Sequence, residues 1–130
     1  MSTNAGIALR SGDTYQAIYC HWDGYPKYML PMLRDHYNSV ELAAKLISYG
    51  DASSIEERLE PTPGVAHCFM QPENGVCVFY HRDRGDDWFS CQPTCYIRSE
   101  LFKSIGGDYF YIFEDGEWNV YHRNGERIYI

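Results

Sequence analysis

A chain of 130 residues with 45% apolar side chains is the size of one domain, able to bury a core without disulfides or metal. Lys and Arg number 11 against 18 Asp and Glu, a formal charge of -7 that argues against general binding to phosphate backbones or anionic lipid and favours a basic partner. The sequence opens without a cationic, apolar leader and has no apolar run of bilayer length, so a cytoplasmic location is expected.

Residues 7–10 and 15–21 flank Ser11-Gly12-Asp13, which predicts a β-hairpin. In its second strand Ile18, Cys20 and Trp22 alternate with Tyr19 and His21, so the first set is assigned to the core. Asp23-Gly24-Tyr25-Pro26 then breaks the strand. Met29, Leu30, Leu33 and Tyr37 form a stripe that predicts a helix over 27–37, with Pro31 in a first turn or at a kink. Asn38 with Glu41 resembles a capping box, and Leu42, Leu46 and Tyr49 before Gly50 predict a helix over 39–49. Ser54 and Glu57 repeat the start signal for a short helical turn ending near Leu59, before Pro61-Thr62-Pro63-Gly64 forces a loop.

Residues 65–70 and 76–81 around a longer turn predict a second hairpin, followed by a polar loop over 82–87. Ile97, Leu101 and Ile105 predict one short helix before Gly106-Gly107. Residues 109–113, 118–122 and 127–130, separated by Asp115-Gly116 and Asn124-Gly125, predict a three-stranded meander. The expected fold is therefore α+β in a single domain over 1–130: an antiparallel sheet of β-hairpins with a C-terminal three-stranded meander and two to three short helices.

YCHWDGYP at 19–26, together with His36-Tyr37, Leu46-Ile47, Gly50-Asp51, Ser53-Ser54 and HRDRG at 81–85, resembles a family of small proteins encoded by tailed phages and prophages. The resemblance runs over the first two thirds of the chain. It implies a phage setting, in which proteins of this size bind host machinery or defence systems, and it brings no catalytic residue with it.

Four groups of residues stand out chemically. His21 and Asp23 sit at a strand end and could form an acid/base or ligand-binding pair; alternatively Asp23 serves the turn and His21 lies on a sheet face. Arg82, Asp83, Arg84, Asp86 and Asp87 could offer guanidinium groups and carboxylates to a phosphorylated ligand, or pair with one another in solvent. The letters HRD there match a kinase catalytic loop, but no glycine-rich nucleotide loop precedes them.

Cys20, Cys68, Cys77, Cys91 and Cys95 are odd in number and expected as free thiols. Cys91 and Cys95 are a single closely spaced pair, with His67, Cys68, Cys77 and His81 nearby, where structural zinc sites use two such pairs; no metal and no cofactor is expected. The fourth group is the aromatic face of the meander, where Tyr109, Tyr111 and Phe113 share one side of a strand and Tyr121 and Tyr129 add to the supply. The opposite side, Phe110 and Ile112, is also apolar, so the second face is either covered by a further layer or exposed as a partner-binding patch. The meander carries only Arg123 and Arg127 as basic residues, which makes nucleic-acid binding the weaker reading.

The expectation is a non-enzymatic phage or prophage accessory protein that binds and inhibits a host protein, such as a defence-complex subunit with a basic surface, in the manner of an anti-CRISPR protein. The alternative is a small nucleotide-ligand or phosphodiester-cleaving protein built on the His21/Asp23 and Arg82 to Asp87 loops. A third reading, a virion or assembly component, predicts oligomers formed through the strand edge at 128–130.

Overall fold

The N-terminal alternation produces the expected hairpin. β1 (Ala5–Ser11) and β2 (Thr14–Cys20) pair antiparallel, with Ile7 opposite Ile18 and Ala5 opposite Cys20. The structure, a computed structural model describing residues 2–130, continues with α1 (Pro26–His36), α2 (Val40–Ser48), β3 (Ala52–Ser54) and β4 (Val78–Phe79). Then follow α3 (Tyr80–Arg84), α4 (Trp88–Cys91), β5 (Thr94–Ile97), α5 (Arg98–Ser104), β6 (Tyr109–Glu114), β7 (Glu117–His122) and β8 (Arg127–Ile128).

The class is α+β as expected, but the sheet is mixed rather than antiparallel. Its order is β4-β3-β2-β1-β6-β7-β8, with β1 parallel to β6 and β2 parallel to β3. Parallel neighbours need a long crossover, and α1 with α2 supplies it between β2 and β3. Beyond β1, β6 pairs antiparallel with β7 and β7 with β8, the predicted meander. Asp115 (φ 52°) and Gly116 (φ 81°) take the left-handed backbone that the tight turn between β6 and β7 requires.

One face of the sheet packs Ile7, Ile18, Cys20, Tyr111, Phe113, Trp118 and Val120 against Met29, Leu30 and Leu33 of α1 and Ala43, Leu46 and Ile47 of α2. The other packs Ala8, Tyr15, Ala17, Phe110, Ile112 and Tyr121 against Leu101 of α5, with Phe102 and Ile105 beside them. Both faces of the meander are thus covered, which decides between the two expectations for its aromatic residues in favour of a further layer.

The helices begin where local chemistry allows. Pro26 occupies the first turn of α1, where a missing N–H costs nothing, and Pro31 lies inside the helix on its exposed side. In α2 the cap is Ser39, not Asn38: its hydroxyl accepts from the Leu42 N–H at 3.1 Å. Gly50 (φ 85°) ends this region, and a Cβ there would lie 2.4 Å from the Cys91 carbonyl, so the stop also lets α4 dock.

Three expectations fail between residues 52 and 97. The helical turn from Ser54 does not form: Ser54 ends β3, where the His21 and Trp22 N–H groups donate to the Ala52 and Ser53 carbonyls at 3.1 and 2.9 Å, and residues 55–59 are irregular apart from a bridge from Arg58 to Val76. The second hairpin does not form; Val78 and Phe79 pair with β3, and Val76 makes its isolated parallel bridge to Arg58. Side chains divert the intervening backbone: Glu73 accepts from the Thr62 N–H at 2.9 Å and the Thr62 hydroxyl at 2.6 Å, and His67 Nδ1 accepts from the Glu73 N–H at 2.9 Å. Residues 80–84 of the supposed strand end and loop are α3, while α4 and β5 carry no periodicity long enough to announce them. No helix among the described residues is long and apolar enough to cross a membrane.

Candidate functional site

The YCHWDGYP block is first of all a joint. Cys20 is buried, and burial pushes its thiol up to about 12. Asp23 takes a left-handed backbone (φ 57°), a conformation that aspartate tolerates. A Cβ on Gly24 would meet the Asn4 carbonyl carbon at 2.8 Å; its N–H donates to Thr3 at 2.9 Å and its carbonyl accepts from the Tyr111 hydroxyl at 2.6 Å. Tyr25 then leads into α1. Trp22, assigned to the core by alternation, is instead 46% exposed, because the ladder ends at Cys20 and the chain has turned.

A chain of hydrogen bonds crosses the surface from this joint. Asp108 accepts from the Asn4 N–H at 3.1 Å, and the Asn4 amide donates to His21 Nδ1 at 3.3 Å and to the His21 carbonyl at 2.8 Å. The Tyr19 hydroxyl lies 2.8 Å from the same Nδ1. Asn4 and Tyr19 thus converge on one ring nitrogen of His21. The Tyr19 N–H donates to Asp51 Oδ1 at 2.9 Å, completing the line Asp108, Asn4, His21, Tyr19, Asp51.

Each end of that line opens into a concavity. At the Asp108 end, Thr3, Tyr25, Tyr109, His122 and Glu126 line an open groove of about 720 Å³. The Tyr109 and His122 rings lie 6.2 Å apart along it. At the Asp51 end, Ala17, Tyr19, Thr94, Tyr96, Ser104 and Ile105 line a smaller cavity of about 220 Å³. The smaller cavity follows from a fork in the sheet: β2 is covered by β5 over Thr14 to Ala17 and by β3 only at Cys20. In the gap the Asp51 carboxylate takes the place of a backbone partner for Tyr19.

Burial pushes the Asp51 carboxyl up to about 6, opposed only by that one N–H. Burial also raises the Tyr19 phenol, with Tyr80 nearby adding to the effect.

The HRDRG segment is a clamp. Arg82 donates to the Leu59 carbonyl at 2.6 Å and the Cys77 carbonyl at 3.0 Å, and its guanidinium lies over the rings of Tyr49 and Phe79 at 5.2 and 5.1 Å. Asp83 is buried and accepts from Arg82 Nε at 2.8 Å and the Phe79 N–H at 2.8 Å. His67 Nε2, its protonated nitrogen, lies between Asp83 at 3.3 Å and the Cys77 carbonyl at 3.2 Å. These bonds hold the irregular loop over residues 60–75 to the sheet, and they engage four of the five Arg82 N–H groups and both Asp83 oxygens within the fold.

Arg84 and Asp86 pair with each other in solvent at 2.7 Å, with the guanidinium over Tyr80 at 4.2 Å. Asp86 is held below its usual value, first by its hydrogen bond from Arg84. Asp87 is exposed and precedes α4. No hydrogen bond joins His21 to Asp23 among the described residues, and none of His21, Asp23, Arg82, Arg84 and Asp87 lines either concavity. These side chains are therefore not brought together in either concavity.

The aromatic patch on the meander needs a corresponding correction. Tyr111 (0% exposed) and Phe113 (2%) face α1 and α2, and Tyr121 (5%) lies beneath α5, so none of them can meet a partner. Tyr109 is half-buried and lines the open groove. Tyr129 is 81% exposed, with Arg127 4.8 Å from its ring. The edge strand ends at Ile128, leaving a two-residue β8 for the self-pairing reading. All five cysteines are free, and no three His, Cys, Asp or Glu side chains among the described residues converge as a metal site would need.

Sequence reading missed Asp51, Tyr96 and the exposed pair Trp22 and Tyr25. Gly50-Asp51 stood out only as part of a block, since the sheet fork that gives Asp51 its setting depends on β5. A scan of protein-family models, a search of curated proteins and a search of solved structures find no match for this chain.

Proposed function

We propose that the protein is a non-enzymatic phage or prophage accessory protein that binds and inhibits a basic host protein, a defence-complex subunit in the manner of an anti-CRISPR protein. The observation carrying this reading is the open groove lined by Tyr25 and Tyr109 together with the carboxylates of Asp108 and Glu126, which outnumber its one guanidinium, Arg123. Aromatic rings beside acidic groups suit arginine-rich surfaces, which combine cationic and stacking contacts. Trp22 and Tyr25 are exposed on one turn beside the groove, and the formal charge of -7 would favour encounter with a basic target. The resemblance carried by YCHWDGYP and HRDRG supplies the phage setting.

Affinity capture from host cells expressing the defence system tests this. The wild-type protein should recover a stoichiometric partner and inhibit it; Tyr25→Ser with Tyr109→Ser should lose both effects. Phe89→Ser, a change at an exposed ring on α4, should keep them. A partner retained by the double variant, or no stoichiometric partner at all, overturns the reading.

A further inference from the structure

We propose that the cavity at the fork of the sheet is a binding site for one N–H-bearing organic cation, a guanidinium or primary ammonium group, held by Asp51 between the side chains of Tyr19 and Tyr96. The site stands apart from the groove, and the proposal does not depend on the host-protein reading.

Asp51 Oδ1 accepts one N–H, and no lysine, arginine or histidine among the described residues pairs with the carboxylate. Asp51 is partly buried and no buried side-chain oxygen among the described residues lacks a partner, so the second carboxylate oxygen is an acceptor open to solvent where Asp51 lines the cavity. Burial without a cation also explains why its carboxyl is pushed up to about 6.

The walls suit the missing partner. Thr94 and Ser104 offer hydroxyl oxygens to further N–H donors, Tyr19 and Tyr96 offer aromatic side chains, and Ile105 can cover an aliphatic stem. Ala17 and Gly106 keep the space open. At about 220 Å³ the cavity has several times the roughly 30 Å³ share of one water, room for a side-chain-sized group. Anions are disfavoured, because no basic residue lines the space.

The cation could be a free amine or the end of a protein side chain, and a titration of the full chain followed by ¹⁵N amide shifts separates them. Agmatine and n-butylamine probe the free source; a short arginine-containing peptide probes the side chain; its citrulline counterpart is the neutral control. Saturable shifts at Tyr19, Asp51, Tyr96 and Ile105 are expected with the cations. Asp51→Asn, which keeps the acceptor for Tyr19, should weaken binding by roughly tenfold or more. Thr94→Lys, at an exposed position, brings its own ammonium to the cavity and should exclude the probes. Binding of free amines alone supports a small-molecule site, and binding of the peptide alone supports a partner's side chain. Equal binding of the citrulline peptide, unchanged binding to both variants, or no saturable shift at millimolar probe overturns the proposal.

Discussion

Asp51 and Asp83 are both internal carboxylates close to β4, yet their surroundings differ. Asp83 receives donors on both oxygens, from Arg82, Phe79 and His67, so it fixes a loop and has nothing left to offer. Asp51 receives one donor and opens into a cavity. The contrast separates a carboxylate that builds the fold from one available to a ligand, which their neighbouring sequence letters do not: the charged-looking HRDRG holds the former and the bland Gly50-Asp51 the latter.

The largest expected effect is at the sealed carboxylate. Asp83→Ala leaves Arg82, His67 and the Phe79 N–H without their acceptor, and should destabilise the protein by about 3 kcal/mol in urea unfolding. A change below 1 kcal/mol, on the order of a surface pair, would remove the distinction between the two sites. Next comes another sealed acceptor: Tyr111→Phe leaves the buried Gly24 carbonyl unpaired, for a loss of about 2 kcal/mol in the same measurement.

At the open carboxylate the sign reverses. The folded Asp51 carboxyl titrates near 6 against an ordinary 3.8, so its contribution to stability is complete below pH 4 and fades as pH rises through 6. Asp51→Asn should therefore match the wild type near pH 4 and be more stable by about 1 kcal/mol at pH 7.5, a figure reduced for the partial exposure of the group. Urea unfolding at both pH values checks it, and a variant less stable at pH 7.5 would mean that Asp51 is sealed after all. The smallest effect belongs to Arg84→Ala, which breaks a surface pair with the partly exposed Asp86; its unfolding midpoint should hardly move.

Local patterns made the two ends of the chain legible. Alternation around Ser11-Gly12-Asp13 and the Asp115-Gly116 and Asn124-Gly125 turns fix hairpins between near neighbours, and stripes ending in Leu33 and Leu46 fix two helices. The middle was not legible, because its backbone bonds go to side chains: Glu73 to Thr62, His67 to Glu73, Arg82 to Leu59. The site was half legible. Tyr19 shares the alternation of Tyr15 and Ala17, which pack on the face away from α1, whereas His21 lies beyond the end of β2; Tyr109 does line a groove. Asp51 could not be singled out, since its setting depends on β5 pairing with β2, in which Ala17 meets Thr94 from far along the chain. Tyr111 and Phe113 were misjudged because alternation does not say which face of the strand α1 and α2 cover, and Tyr121 because α5 is too short to signal that it covers the other.

The parallel pairing of β1 with β6 has a consequence in time. Ala5 meets Tyr109, so the central strand of the sheet waits for more than a hundred further residues to be made. At ribosomal speeds that wait lasts roughly 5 to 20 seconds, during which the first hairpin presents an unsatisfied edge beside Ile7 and Leu9. Completion of the sheet is thus a late, long-range event, and whatever shields that edge on the nascent chain governs how much protein reaches the native state.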